Sequence, residues 1–482
     1  MNLSLPPVVR RRFIDGLIII AGVLGCVTLF NFIVEESIFM SGIVIVGLGV
    51  IFWACFSRGL WWVLVPLAVC FGGMIYIGFK ILAVEFALLV VLIAAIPRIA
   101  SHQVVSRPAF LPKSLYLLLA YLIARLIIDL YCAVLDGLPT GNILRVYVMG
   151  LWPLIFAVPF SYYGNTANIK NVFWLMYAAA FVRSALGVIG YCFPLIFTVT
   201  GAQFILPGLY SQGLELRASA LWLLYLALAA WSMSRQRFHI LHTLVALAAI
   251  AGVCVGGSRG SLGIMVGIIL VWALINRRYW ALGILSLLFL SIVVVLNLNY
   301  EIVYMLPDRI QRTMSILLFN SPFHDIGNLV AGSNEWHFEL GKMAYSQWTA
   351  SLSNFIFGHR VIPFAGDMEN VAQSSFWLGL KIAADMGYYE AGLWTVLALT
   401  GIVGGILYMH VIFYLIRPLW ALLWKEGIQT PSNALAFVGV SSAVLWFIFS
   451  WIIGHFPSEQ LLFLVLARAA YADRNMLTKP TN

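Results

Sequence analysis

Residues 114–135 read SLYLLLAYLIARLIIDLYCAVL, an apolar run of 22 residues interrupted by only two charges, Arg125 and Asp129. A helix rises about 1.5 Å per residue, so a run of this length covers the roughly 30 Å of hydrocarbon in a bilayer. Similar runs, bounded by charge, Pro or Gly, recur along the chain. Fourteen are found, at approximately 13–34, 37–56, 59–79, 81–97, 114–135, 142–162, 171–198, 217–234, 240–257, 260–275, 279–299, 391–416, 433–453 and 459–472, the last being the shortest.

Composition agrees with the runs. Of 482 residues, 62% are AVILMFWYC and 10% are charged, with a mean hydropathy of +0.96. A soluble globule of this size needs a polar surface that so few charges cannot supply, whereas a lipid-facing surface needs none. A soluble enzyme, a disordered protein and a nucleic-acid module are thereby excluded. The expected fold is an all-α polytopic membrane protein with about 12–14 transmembrane helices. Residues 1–299 form eleven of them, 300–390 a large outer loop, and 391–482 the last three and a cytoplasmic tail.

Arg10, Arg11 and Arg12 precede the first run, which is too long for a signal-peptide core and lacks a small-residue cleavage site before Glu35. It reads as a retained first helix. With those arginines cytoplasmic, alternate loops place 17 of the 28 Lys and Arg on that side and nine on the other, leaving Arg125 and Arg183 inside spans. The excess follows the positive-inside rule and puts both termini in the cytoplasm. The six cysteines lie in or at the ends of apolar runs, so they imply neither a disulfide framework nor a zinc motif.

Residues 300–390 are too polar for lipid and carry nine acids against five basics, on the outer side of this layout. Within them Trp336, Leu340, Met343, Ala344 and Trp348 share one helical face, suited to the membrane interface or to a partner helix. A second apolar stretch, Phe376 to Met386, leads back toward the membrane. These two helices are expected either to cap the bundle or to form an active-site lid. Gly263 with Gly267, and Gly401 with Gly405, form GxxxG pairs that predict close helix packing.

Arg125 and Asp129 lie four apart on one face and are placed to pair. Ionisable groups at that depth mark either a functional site or a buried ion pair that fixes helix register, and Arg183, with no local carboxylate, admits both readings. Arg145, Arg217 and Arg259 each fall at the outer end of a span. Guanidinium groups bind phosphate oxygens bidentately and stay charged, so a ring of them suits an anionic headgroup such as a lipid diphosphate. Snorkelling to lipid headgroups explains any one of the three but explains the set less well.

Gly256-Gly257-Ser258-Arg259-Gly260 matches GxSxG, but between two helices it lacks the strand-turn-helix setting of a hydrolase nucleophile. A glycine-rich break there frees backbone N–H groups, including those near Ser258, as an anion nest beside Arg259. His324, Asp325, His337, Glu339 and His359 have no metal-ligand spacing and read as surface polar residues. No Walker-type loop is present. Glu390, preceded by Tyr388 and Tyr389, stands where the loop re-enters the membrane, as a general base toward a hydroxyl or as a solvated helix N-terminal acid.

In order along the chain, Glu215-Leu216-Arg217-Ala218-Ser219, Gly257-Ser258-Arg259-Gly260, the outer loop with Trp336 to Ala344 and Phe357-Gly358-His359, and Ala398-Leu399-Thr400-Gly401 through Gly405 resemble the O-antigen ligase and Wzy-type polymerase group. The similarity covers roughly Arg217 to Leu415. The resemblance implies a GT-C-like integral-membrane glycosyltransferase of the bacterial plasma membrane. It implies transfer of an undecaprenyl-diphosphate-linked glycan on the outer face, with undecaprenyl diphosphate released and without nucleotide sugar, metal or other cofactor. A flippase and a chain-length regulator are the partners it implies. Where ligases carry a His-Asn pair before the Gly of the return helix, this chain has Glu390 and Ala391, which favours a polymerase. On that basis Glu390, or Tyr389 beside it, takes the acceptor proton. Arg145, Arg217, Arg259 and Ser258 then hold the diphosphate, and Arg125, Asp129 and Arg183 give intramembrane support.

Two other classes compete, the first of which also fits the buried arginines. A transporter of an anionic solute predicts alternating-access symmetry and basic residues continuing inward, yet no repeat is evident and the arginines thin out inward. A non-catalytic scaffold of an envelope-assembly complex predicts that function survives loss of Arg217, Arg259 and Glu390 together.

Overall fold

Lipid offers no partner for backbone N–H and C=O groups, so an apolar run that enters it folds as a helix. The structure is a computed structural model. It describes residues 49–72, 74–76, 80–101, 110–192, 214–318, 324–362, 376–450 and 454–477, apart from positions 52, 57, 58, 165, 167, 257, 258, 307 and 455. The first expected span, most of the second, and Ser258 lie outside these residues.

The described chain is an all-α membrane protein in which helices form everything but one short strand pair. A 3₁₀ turn at Trp61–Val63 runs into α1 (Leu64–Phe71) and is followed by α2 (Ala83–Ala100), α3 (Lys113–Leu135), α4 (Gly141–Tyr163) and α5 (Ile169–Cys192). Next come α6 (Leu214–Met233), α7 (Gln236–Val255), α8 (Arg259–Ile275) and α9 (Tyr279–Leu298). The polar segment between them and the last apolar helices holds α10 (Asp308–Met314), α11 (His324–Thr349), α12 (Leu352–Phe357) and α13 (Phe376–Asp385). The chain closes with α14 (Gly392–Glu426), α15 (Pro431–Phe449) and α16 (Ser458–Leu477). Among the described residues, seven helices are long and apolar enough to cross a membrane and four apolar helices are shorter.

One expected span is corrected. The run 59–79 is helical only to Phe71, where Gly72 at φ 69° closes the helix by donating to Ala68 O at 2.7 Å. A short antiparallel pair follows, β1 (Met74–Tyr76) with β2 (Lys80–Leu82). Hydropathy alone could not separate this strand pair from a helix, because the glycine break sits inside a continuous apolar run.

The shortest expected span, 459–472, becomes the 20-residue α16 and belongs to the core. Leu461 to Ala467 are all at most 1% exposed, and Gly439 of α15 lets the two backbones meet where a Cβ would stand 3.0 Å from Leu464 N. Trp222 and Tyr225 of α6 close over this pair against Phe463 and Phe437, at ring separations of 4.6 and 5.7 Å. Gly263 and Gly267 pack on Phe449 and Leu445, the close approach their spacing predicts. By contrast, α9 exposes Ile284, Leu287, Leu290 and Leu298, as a lipid-facing helix does.

Arg277 donates to Trp424 O at 3.2 Å, and the Arg278 guanidinium lies 4.2 Å from the Trp231 ring centroid. The turn at Arg277 and Arg278 thus packs against the ends of α6 and α14. After α14 the Thr430 hydroxyl caps α15 by accepting from Asn433 N at 3.2 Å, with Pro431 at the first helical position. Thr430→Ala is expected to cost about 1 kcal/mol, read as a lower melting temperature in detergent. An unchanged melting temperature would show that the cap contributes nothing.

At 35 residues, α14 exceeds the bilayer thickness, and Gly401 breaks it at φ 63°, ψ −172°. This corrects the GxxxG reading of Gly401 and Gly405. A Cβ on Gly401 would overlap the Ile356 carbonyl and lie 2.6 Å from Gly358 N, so this glycine admits the C-terminal end of the short helix α12 rather than another membrane helix. Carbonyls loosened by the break find new donors. His359 N donates to Ala398 O at 2.5 Å, and the Tyr121 hydroxyl lies 2.6 Å from Thr400 O and 2.9 Å from Phe357 O. Meanwhile α11 buries Leu340 and Ala344, with Leu340 packed on Leu380 and Ala383 of α13 and Tyr345 against Trp394 of α14. Its apolar face therefore meets partner helices of the same chain.

Candidate active site

The turn between α13 and α14 carries Glu390. Helix α13 ends with Gly387 at φ 78°, where Gly387 N donates to Ala384 O and Tyr388 N to Ala383 O at 2.9 and 2.8 Å. This pair of bonds is the usual glycine closure of a helix C-terminus. Three residues on, Glu390 itself takes φ 51°. A side chain other than glycine held there costs about 1–3 kcal/mol and persists only when its surroundings over-determine it. They do so here: Tyr389 and Ala391 are fully buried, Glu390 O accepts from Gly454 N at 2.9 Å, and Gly392 N donates to Gly454 O at 2.7 Å.

From this pinned backbone the Glu390 carboxylate reaches out. Its side chain is 41% exposed, and Oε2 lies 3.4 Å from His337 Nδ1 on α11. Tyr389 meets the same helix further along, its hydroxyl donating to Gln347 Oε1. Burial pushes the Tyr389 phenol well above its usual range, and the Asp385 charge adds to the shift. Of the two residues proposed to take the acceptor proton, Glu390 is the accessible one.

Arg145 lies in the second turn of α4 beside this turn, where Gly387 faces Val146. Burial raises the Tyr388 phenol, while the Arg145 charge lowers it and the Glu85 charge raises it, which places all three groups within electrostatic reach. Arg259 is the first residue of α8, one turn before Gly263 on Phe449; Ser450, next in the chain, packs on Gly392. Arg259 and Glu390 therefore share one end of the bundle. Arg312 of α10 joins Arg259 closely enough for their like charges to interact, because Thr313 anchors α10 by donating to Cys254 O at 3.0 Å. Arg217 stands in the first turn of α6, with its side chain outside the described part, as is Ser258.

Arg125 and Asp129 do pair, at 3.7 Å, with Asp129 fully buried. The pair's larger role is to hold the segment after α12. Asp129 Oδ2 accepts from Tyr147 OH at 2.7 Å and from Val361 N at 3.3 Å, while Arg125 Nη2 donates to His359 O at 3.1 Å. Arg183 is buried in α5, next to Ser184, whose hydroxyl meets Ser219 of α6 at 3.5 Å. No described contact brings it to Glu390.

His337 and His359 correct the expectation of surface residues. His337 is one-quarter exposed and faces Glu390. Burial pushes His359 below the ordinary imidazole range, against the opposing pull of Asp385 and Asp129, and Asn354 Nδ2 stands 3.5 Å from its Nδ1. Glu339 pairs with Lys342 at 2.5 Å, whereas the side chains of His324 and Asp325 lie outside the described part.

A signal for His337 and Gln347 was present in the sequence. On a helix, His337 lies three residues before Leu340 and Gln347 three after Ala344, so both are polar interruptions of the buried stripe. Asp385, Tyr121, Tyr147 and Arg312 carried no such mark. Together these groups make an accessible carboxylate in contact with an imidazole, with guanidinium groups at the same end of the bundle. That set is able to accept a proton from a hydroxyl and to receive an anionic leaving group. Neither a family model nor a curated protein matches the chain.

Proposed function

We propose that the protein is a Wzy-type polysaccharide polymerase with a GT-C-like bundle. It joins undecaprenyl-diphosphate-linked repeat units at the outer face of the bacterial plasma membrane, with both termini cytoplasmic and with a flippase and chain-length regulator as partners. The observation that carries the proposal is Glu390, held at φ 51° against His337 at the end of the bundle that also bears Arg145 and Arg259.

In this mechanism an acceptor sugar hydroxyl attacks the anomeric carbon of the lipid-linked donor. The new oxygen–carbon bond forms as the bond from that carbon to the diphosphate oxygen breaks, and its electron pair leaves on undecaprenyl diphosphate. Glu390 takes the hydroxyl proton, with His337 orienting the carboxylate. Arg145, Arg217 and Arg259 stabilise the charge that grows on the departing diphosphate.

The test is purified protein in nanodiscs given undecaprenyl-diphosphate oligosaccharide without ATP, with products resolved by gel. A ladder of lengthening lipid-linked glycans is expected. Its absence with folded protein and repeat units from the native host would favour a ligase that needs another acceptor, or an anion transporter. Arg259→Ala is expected to slow the ladder by about 100-fold, by analogy with loss of one oxyanion donor. An unchanged rate at equal protein level would remove Arg259 from the leaving-group site.

A further inference from the structure

A chain of hydrogen bonds links the membrane-embedded Arg125–Asp129 pair to the turn that carries Glu390. Asp129 Oδ2 accepts from Val361 N at 3.3 Å, and the next residue, Ile362, donates its N–H to Asp385 O at 2.7 Å. Asp385 Oδ1 in turn accepts from Gln347 Nε2 at 3.3 Å, and Gln347 Oε1 accepts from Tyr389 OH. Tyr389 is fully buried and adjoins Glu390. Every link joins a different element: α3, the segment after α12, the end of α13, α11, and the turn before α14.

We infer that Asp129 is a positioning residue for Glu390, acting through Val361, Ile362, Asp385, Gln347 and Tyr389. The inference rests on the reading of Glu390 as the base. Its physical ground is the strained backbone at Glu390, which must be held from both sides. Gly454 bonds to it on one side, and the buried Tyr389 hydroxyl fixes the other through Gln347. Asp129 has no described contact with Glu390 and acts only through these intermediates. What it does is set where the segment 359–362 docks, and that segment sets Asp385.

A second tie between the same segment and the end of α3 supplies a control. Arg360 bonds Asp136 at 2.5 Å, but this pair is 34% and 51% exposed, lies off the chain of bonds, and is of the exposed kind that contributes little.

The test compares Asp129→Asn, Gln347→Leu, their double variant and Asp136→Asn by polymerisation kinetics and by amide hydrogen exchange. Asp129→Asn is expected to lower kcat about 10-fold while KM for the lipid-linked donor stays within about two-fold, since orientation rather than substrate binding is lost. Gln347→Leu is expected to do the same, and the double variant no more than either alone, because both cut one chain. Asp136→Asn is expected to match the wild type. In Asp129→Asn, exchange is expected to rise in peptides covering 359–362 and 386–392 together. Independent, multiplying kinetic effects, or faster exchange confined to 359–362, would overturn the relay. Because the exchange arm needs no turnover, it separates failure of the relay from failure of the polymerase reading, which a wild type with no ladder would signal. If Asp129→Asn does not fold, Gln347→Leu alone decides through the same kcat and exchange readouts at 386–392.

Discussion

Glu390→Gln is expected to stop glycan extension almost completely, with the rate falling by about 10²–10⁴-fold, the range for loss of a general base. The amide keeps the size and shape of the side chain and its reach toward His337, so the proton acceptor and its negative charge are removed without a change of shape. The purified variant, compared with wild type in the ladder assay at equal protein concentration, gives the result directly. A wild-type rate would show that another group takes the proton. Glu390→Gly sharpens the experiment. Glycine accepts φ 51° without a Cβ, so this variant is expected to be inactive yet more stable by about 1 kcal/mol, after allowing for glycine's extra freedom in the unfolded chain. Greater stability bought by loss of activity is the mark of strain kept for function. A Glu390→Gly protein less stable than wild type would place that residue among the structural ones.

Gly401→Ala is expected to be worse for the molecule as a whole. Its φ of 63° with ψ of −172° belongs to a region that only glycine occupies without strain. A methyl group there would also run into the Ile356 carbonyl, a backbone atom with no rotamer to retreat into. A loss of more than about 4 kcal/mol follows from the two effects together. The readout is the yield of monodisperse protein in detergent and its melting temperature. Gly405→Ala serves as the comparison, because the atom it meets is the flexible end of Leu397. Equal behaviour of the two variants would contradict the break as described.

These two positions also show how far the residues speak for themselves. Membrane helices were legible because burial in lipid asks only for a long apolar run, and nearly every such run within the described residues became a helix. The run 59–79 failed because apolar side chains do not say whether the backbone turns at Gly72. Gly401 and Gly405 have the spacing of a packing motif, but what a glycine is for depends on what approaches it, and the visitors at Gly401, Ile356 and Gly358, come from far earlier in the chain. Glu390 stood out by its place at the re-entry into the bundle. Its companion His337 was marked only as a polar interruption of a buried stripe, and what it faces is known only once the turn at Glu390 is placed. Arg125 and Asp129 were correctly read as a pair, and their hold on the segment after α12 became visible only in three dimensions.

The break in α14 has a consequence for how the protein is made. Ala398 and Thr400 would present carbonyls to hydrocarbon if the helix entered a bilayer alone, at several kcal/mol for each unsatisfied group. Their donors are His359, from the segment that leaves the ribosome before α14, and Tyr121, from a helix made earlier still. The nascent chain thus supplies in advance the polar partners that its own later helix will need. A chain shortened between α12 and α14 so as to lose His359 would leave the Ala398 carbonyl without that donor.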